Sequence, residues 1–367
     1  MKYLRYLLLA LPLMLYFRWN DPESGWAFLT AALSILPLAG YMGKATEELA
    51  VHTGPKIGGF LNATFGNATE LIIALFALKA GHIEVVKASI IGSIIGNILL
   101  VLGLSVLLGG FKHGTQQFST ETAKINATTL LLAVIAMLVP SLFMHTKVHG
   151  EAAVNLSVEV SIVLLIVYGA LLYFNFNNSD KVAQGAANTT EATAITVTEK
   201  TTAGTVHQPV DDHEAAWTKG KSLTVLLAAT VAVALASEVL VGSLEHTVSS
   251  LGWSEAFIGI ILIPIIGNAA EHSSAVLMAM KNQIEVAAEI ALGSSIQIAL
   301  LVTSLLVLAG RIFDQPMDLV FNTFELVAVV LSVWIAKSIS KDGETNWLEG
   351  LMLLATYAIV AGGFAFA

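Results

Sequence analysis

The chain has no cysteine in its 367 residues and few charged side chains. The missing cysteines exclude disulfides and any thiolate metal site, and leave the redox compartment open. Charged residues make up 12% of the chain, whereas soluble domains carry about 25%. Too little polar surface is available to clothe a water-soluble fold of this size. Lys and Arg number 18 against 27 Asp and Glu, a formal charge of -9 with no basic cluster, so nothing recommends nucleic acid as a partner. Apolar residues dominate instead, at 56% with a mean hydropathy of +0.76.

The lipid bilayer is therefore the solvent. A spanning helix needs about 17 to 25 apolar residues, and runs of that kind fall at 3–19, 26–43, 56–78, 86–108, 124–144, 154–175, 220–242, 256–279, 286–309, 317–338 and 346–366. These are continuous runs, not the ten-residue alternations of a barrel, so the chain reads as an all-α polytopic membrane protein with about 11 transmembrane helices. The first run also has the make-up of a signal peptide, because Lys2 and Arg5 precede its apolar core. No small-x-small cleavage site follows it; Arg18 and Trp19 do.

Counted loop by loop, thirteen Lys and Arg fall on the side of the N-terminus and five on the other, which places the N-terminus in the cytoplasm and the C-terminus outside. The very short N-terminus points to a bacterial plasma membrane. One hydrophilic segment, 177–219, interrupts the pattern. It is rich in Ala, Thr, Asn and Gln and reads as a solvated cytoplasmic tether, with a cation-attracting or regulatory role as the alternative. It divides the chain into an extra N-terminal helix (1–20), a first unit (21–176), the linker and a second unit (220–367).

The halves are related. Residues 66–109 laid on 267–310 without a gap share 18 of 44 identities, and Glu70 aligns with Glu271. The helices bearing these two residues are the third and eighth spans, an odd offset that reverses the direction of the second copy. Two inverted five-helix repeats follow, an arrangement found in secondary transporters with the substrate site near the midplane.

A lone charge at bilayer depth costs roughly 2.5 to 3.5 kcal/mol even on lenient scales, so Glu70 and Glu271 mark that site. Two carboxylates meeting on a pseudo-two-fold axis suit a divalent cation, and calcium takes six to eight oxygen ligands including carbonyls. Gly66 and Asn67 precede Glu70, and Gly267 and Asn268 precede Glu271, at points where a helix is weak enough to release carbonyl oxygens. Pro264 loosens the second copy further. Ser93 and Asn97 in the next span, and Ser294 and Gln297 in its counterpart, offer more oxygen or, alternatively, interhelical hydrogen bonds.

With "ATEELAVHTGPKIGGFLNATFGNATELIIAL" at 45–75 and "GNAAEHSSAVLMAMKNQIEVAAEIALGSSIQIAL" at 267–300, the chain resembles the cation/proton exchangers of the calcium/cation antiporter superfamily over nearly its whole length. The resemblance implies one extra helix followed by two inverted five-helix repeats. It further implies that Glu70 and Glu271 bind calcium and also take up protons, and that the polar positions carry over to Ser93, Ser294 and Gln297. No cofactor is implied; Ca2+, with room for other divalent cations, and H+ are the transported species. The linker lacks a continuous acidic run, and "GNATE" and "GNAAEH" stand where sodium/calcium exchangers carry a Ser- or Thr-rich stretch containing proline. The first feature speaks against a regulatory calcium site in the linker, and the second tilts the coupling ion toward the proton.

Proton coupling has its own physical reason. Burial penalises a charged carboxylate and a facing carboxylate adds repulsion, so protons and calcium compete for the same oxygens. Glu47, Glu48, Glu238 and His272 are the candidates for a proton path. A sodium- or potassium-coupled calcium exchanger and a passive cation channel stay open beside the proton exchanger, as does a homo-oligomer.

Overall fold

The structure is a computed structural model that describes residues 4–143, 150–192 and 215–366. A 3-10 turn, Leu4–Leu9, leads into α1 (Ala10–Asn20), followed by α2 (Gly25–Phe65), α3 (Ala68–Lys79), α4 (Ile83–His113), α5 (Thr120–Phe143) and α6 (Glu151–Ala192). The second half holds α7 (Lys219–Gly242), the short α8 (Leu244–Leu251), α9 (Glu255–Met280), α10 (Ile284–Ile312), α11 (Thr323–Ile339) and α12 (Trp347–Phe366). Among the described residues the one sheet is a pair of two-residue strands, β1 (Gln116–Gln117) and β2 (Glu344–Thr345). They run antiparallel with Gln116 opposite Thr345, and tie the loop before α5 to the loop before α12.

Local chemistry sets the helix starts. Ser24, Thr218 and Ser254 each accept a hydrogen bond from the backbone N–H three residues on, and Asn322 with Glu325 closes a reciprocal capping box on α11. Inside the spans the hydroxyls of Ser34, Ser304 and Ser332 donate to carbonyls one turn back, which satisfies them without water.

Eight of the described helices are long and apolar enough to cross a membrane. Three expected spans fall short for identifiable reasons: α1 has 11 residues, α11 has 17, and the span at 56–78 is split. Its first part joins α2 across a kink at Gly54 (φ 83°), the residue before Pro55, and its second part is α3 with 12 residues. The tether expected from 177 also starts later, because α6 runs on to Ala192; the rest of it, 193–214, lies outside the described residues.

Helices α4 and α10 form the centre. Their most apolar windows are 83% and 72% buried inside the protein, and one apolar cluster joins α3, α4 and α9 to α12 around them. Smaller clusters fill the space between α2 and α7. Both central helices widen into a π-helical turn at equivalent places, Gly96–Val101 and Ile298–Val302, one position from exact register in the repeat alignment. Such turns recur at functional sites because they release the regular hydrogen-bond ladder.

Candidate ion-binding site

Helix α2 stops at Phe65, the backbone turns through Gly66 and Asn67 (φ -101°, ψ 21°), and α3 begins at Ala68. Glu70 thus lies in the first turn of α3, buried, where the free N–H groups of a helix start favour negative charge. The second copy behaves differently from the sequence expectation. No break occurs at Gly267 and Asn268: α9 runs through them unbroken, and the irregularity sits upstream as a π turn at Ile258–Leu262, before Pro264. The Asn268 amide donates back to the Pro264 carbonyl at 3.1 Å, so that carbonyl is engaged within its own helix.

The two copies cross. A Cβ on Gly267 would stand 3.1 Å from Oε1 of Glu70, and one on Gly66 would stand 3.3 Å from Oε1 of Glu271. Each carboxylate therefore rests on the bare glycine backbone of the other repeat, and Glu70 feels the charge of Glu271. The neutral residues cross in the same sense. Ser294 donates to Oδ1 of Asn67 at 2.8 Å, while the Asn268 amide donates to Ser93 at 3.3 Å.

Around this symmetric centre one side carries extra polar groups. The Asn67 amide donates to Gln297 Oε1 at 2.6 Å, the Asn97 amide donates to Ser294 at 3.0 Å, and Asn97 Oδ1 lies 3.2 Å from Nε2 of His272. Every residue named from the sequence as a cation ligand belongs to this cluster: Glu70, Glu271, Gly66, Asn67, Gly267, Asn268, Ser93, Ser294, Gln297 and Asn97. Four buried oxygens in it have no hydrogen-bond donor, namely both of Glu70, Oε2 of Glu271 and Oδ1 of Asn268. Buried polar atoms are nearly always satisfied. Two carboxylates and one amide oxygen left without donors are the kind of ligands a hard divalent cation accepts.

The proton-path candidates divide. His272 touches the cluster through Asn97. Glu47 is exposed near the end of α2's first segment, and Glu48 accepts the backbone N–H of Trp217 at 3.0 Å. Glu238 is exposed and paired with Arg18 of α1 at 2.8 Å, on the rim of the bundle instead of deep in its span. Sequence reasoning missed Lys87, buried in α4 and bridging Glu84 (3.2 Å) and Asp318 (3.3 Å). The signal was present in a basic residue inside an apolar run, but its partner lies 231 positions away. It also read both glycines as helix weak points, which holds at Gly66 and not at Gly267, and did not foresee the bare surface each offers to the opposite carboxylate.

The family model for the sodium/calcium exchanger protein matches residues 23–177 and 221–366. The Ca(2+)/H(+) antiporter of Aphanothece halophytica is 49% identical over 363 residues, which cover 98% of this chain and 95% of that protein. The Ca(2+)/H(+) antiporter ChaA of Bacillus subtilis is 44% identical, with 92% and 91% covered. Among solved structures, native YfkE superposes with a TM-score of 0.83 at 38% identity, covering 99% of both chains.

Proposed function

Since the chain belongs to the cation/proton exchanger branch of the sodium/calcium exchanger protein family, as a transporter and not an enzyme, we propose that it exchanges Ca2+ for H+ across a membrane at a site shared by Glu70 and Glu271. The observation that carries this reading is the crossed seating of the two carboxylates on Gly267 and Gly66, with four buried oxygens that lack donors. Calcium would be held by those oxygens together with Asn67, Ser93, Ser294, Gln297 and Asn97, which already orient one another. Two protons arriving on the same carboxylates neutralise what the ion neutralised, so loading by one releases the other. His272, tied to the cluster through Asn97, would pass protons to it; Glu238, Glu47 and Glu48 would act at the rim.

Exchange by alternating access requires the two repeats to differ at any instant. Such a difference is visible at the helix ends. Val85 in α4 and Ile258 in α9 are both fully buried (0% exposed), and a Cβ on Gly92 would overlap the carbonyl oxygen of Ile260, so α4 and α9 close on each other there. Their equivalents in the repeat alignment, Val286 and Ile57, are 40% and 54% exposed. One pair of equivalent positions is packed and the other exposed, an inequality that supports a carrier over an open pore. We assign the exposed pair to the cytoplasmic side, with the protein in a bacterial plasma membrane and its N-terminus inside.

Calcium uptake into vesicles holding the purified protein tests the reading. An imposed pH gradient should drive uptake against a calcium gradient, and sodium or potassium gradients should not. Uptake driven equally by sodium would make the coupling ion wrong, and calcium flux that only ever runs down its own gradient would make the protein a channel.

A further inference from the structure

Away from the ion site, a groove of about 1050 Å3 lies between α5 and α11. Its wall is apolar, with Leu131 from α5 and Val330 and Trp334 from α11. At its mouth stand Lys124 in α5, Lys337 in the last turn of α11 and Lys341 just beyond it. Glu121, one turn before Lys124, is the one acidic residue lining it. All three lysines are exposed, and none has an acidic partner among the described residues. Lys112, His113 and Lys281 gather at the same end of the bundle, where Lys112 and His113 bond to the Met280 carbonyl. By the positive-inside rule this end faces the cytoplasmic leaflet.

A groove that is apolar along its length and cationic at its mouth calls for an occupant built the same way. Water alone would leave Leu131 and Trp334 wetted at bilayer depth. A second copy of the chain meeting this face about a two-fold axis would bring three lysines against three lysines. We propose that the groove between α5 and α11 binds an anionic phospholipid, its phosphate among Lys124, Lys337 and Lys341 and an acyl chain along Leu131, Val330 and Trp334. Basic pockets between spans on the cytoplasmic side are suited to anionic headgroups. The site joins the first repeat to the second, so an occupant bridges the two units. It does not depend on the identity of the exchanged ions.

Lipid retention by the full-length purified protein, measured by native mass spectrometry, tests it. The wild type should retain phosphatidylglycerol over phosphatidylcholine by about tenfold, and the combined variant Lys124→Gln, Lys337→Gln and Lys341→Gln should lose at least about tenfold of its affinity for phosphatidylglycerol. The single lysine variants, which perturb folding least, should each lose a few fold. The proposal is overturned by equal retention of the two lipids, by lysine variants that bind like the wild type, by inorganic phosphate binding as well as the lipid, or by a dimer that dissociates when the lysines are changed.

Discussion

Neither oxygen of Glu70 has a hydrogen-bond donor, and within reach of its carboxylate lies a second one. Such a pair is costly unless a cation or protons neutralise it. Glu70→Gln and Glu271→Gln keep the side-chain volume while removing the charge. Losing a charge-assisted ligand is worth roughly tenfold or more, so each should cut calcium uptake to below about a tenth at equal membrane expression; half the wild-type rate in either would sink the site. Gly267→Ala probes the seat. Its methyl would press on Cγ of Glu70 at 3.0 Å, and overpacking of that kind costs roughly 1 to 3 kcal/mol. Calcium affinity should fall by about tenfold or more while the protein stays folded, and an affinity within twofold would place Glu70 elsewhere. Protons and calcium share oxygens in this scheme, so lowering the pH should raise the apparent calcium Kd and saturating calcium should restore the rate. Inhibition by acid that calcium cannot relieve would mean the two ions use separate groups.

At the scale of elements, one dipeptide has two outcomes. Gly-Asn interrupts the chain between α2 and α3, where the Asn67 amide reaches across to Gln297, but not in α9, where the Asn268 amide turns back to Pro264. The flanks differ, with Ala63 three residues before Gly66 and Pro264 three before Gly267, and Pro264 offers the carbonyl that takes the Asn268 amide, so flank and partner decide it together. The end of the linker is fixed in a comparable way. Trp217 places its ring 4.9 Å from Lys44 Nζ and 4.7 Å from Lys221 Nζ, its N–H on Glu48 and its carbonyl against His52. These contacts hold the start of α7 against α2, just before the Gly54 kink. Each cation over a ring contributes about 0.5 to 1 kcal/mol, so Trp217→Ala should lower the melting midpoint of the purified protein by a few degrees, about 2 to 4 °C per kcal/mol. No shift in a thermal melt would show the contact to be incidental.

For the molecule as a whole, the absence of cysteine is an experimental convenience: single cysteines can be placed in an otherwise thiol-free chain. Ile57→Cys and Val286→Cys should react with a membrane-impermeant thiol reagent added on the cytoplasmic side, whereas Val85→Cys and Ile258→Cys should stay protected from either side in the conformation described. A calcium or pH gradient that turns the carrier should reverse the pattern. Equal reactivity of all four under every condition would remove alternating access from the account.

Much was legible in the amino-acid order alone. The shortage of charge fixed the solvent, because 12% charged residues cannot clothe a soluble fold of this length. The ungapped alignment of Glu70 with Glu271 picked out the two carboxylates that the structure seats against each other's repeat, since an apolar run keeps few carboxylates without a use. The sequence could also nominate Asn67, Ser93, Asn268 and Ser294, because they recur in both copies. Pairings between distant positions were another matter. That Asn67 meets Ser294 and not Ser93, that Glu70 rests on Gly267, that Lys87 finds Asp318 and that Glu238 faces Arg18 at the rim all depend on how helices cross. So does the difference between the packed pair Val85 and Ile258 and the exposed pair Ile57 and Val286. Two related segments, alike at 18 of 44 positions, carry similar local preferences, and their packing into one structure makes them more unequal than their sequences are.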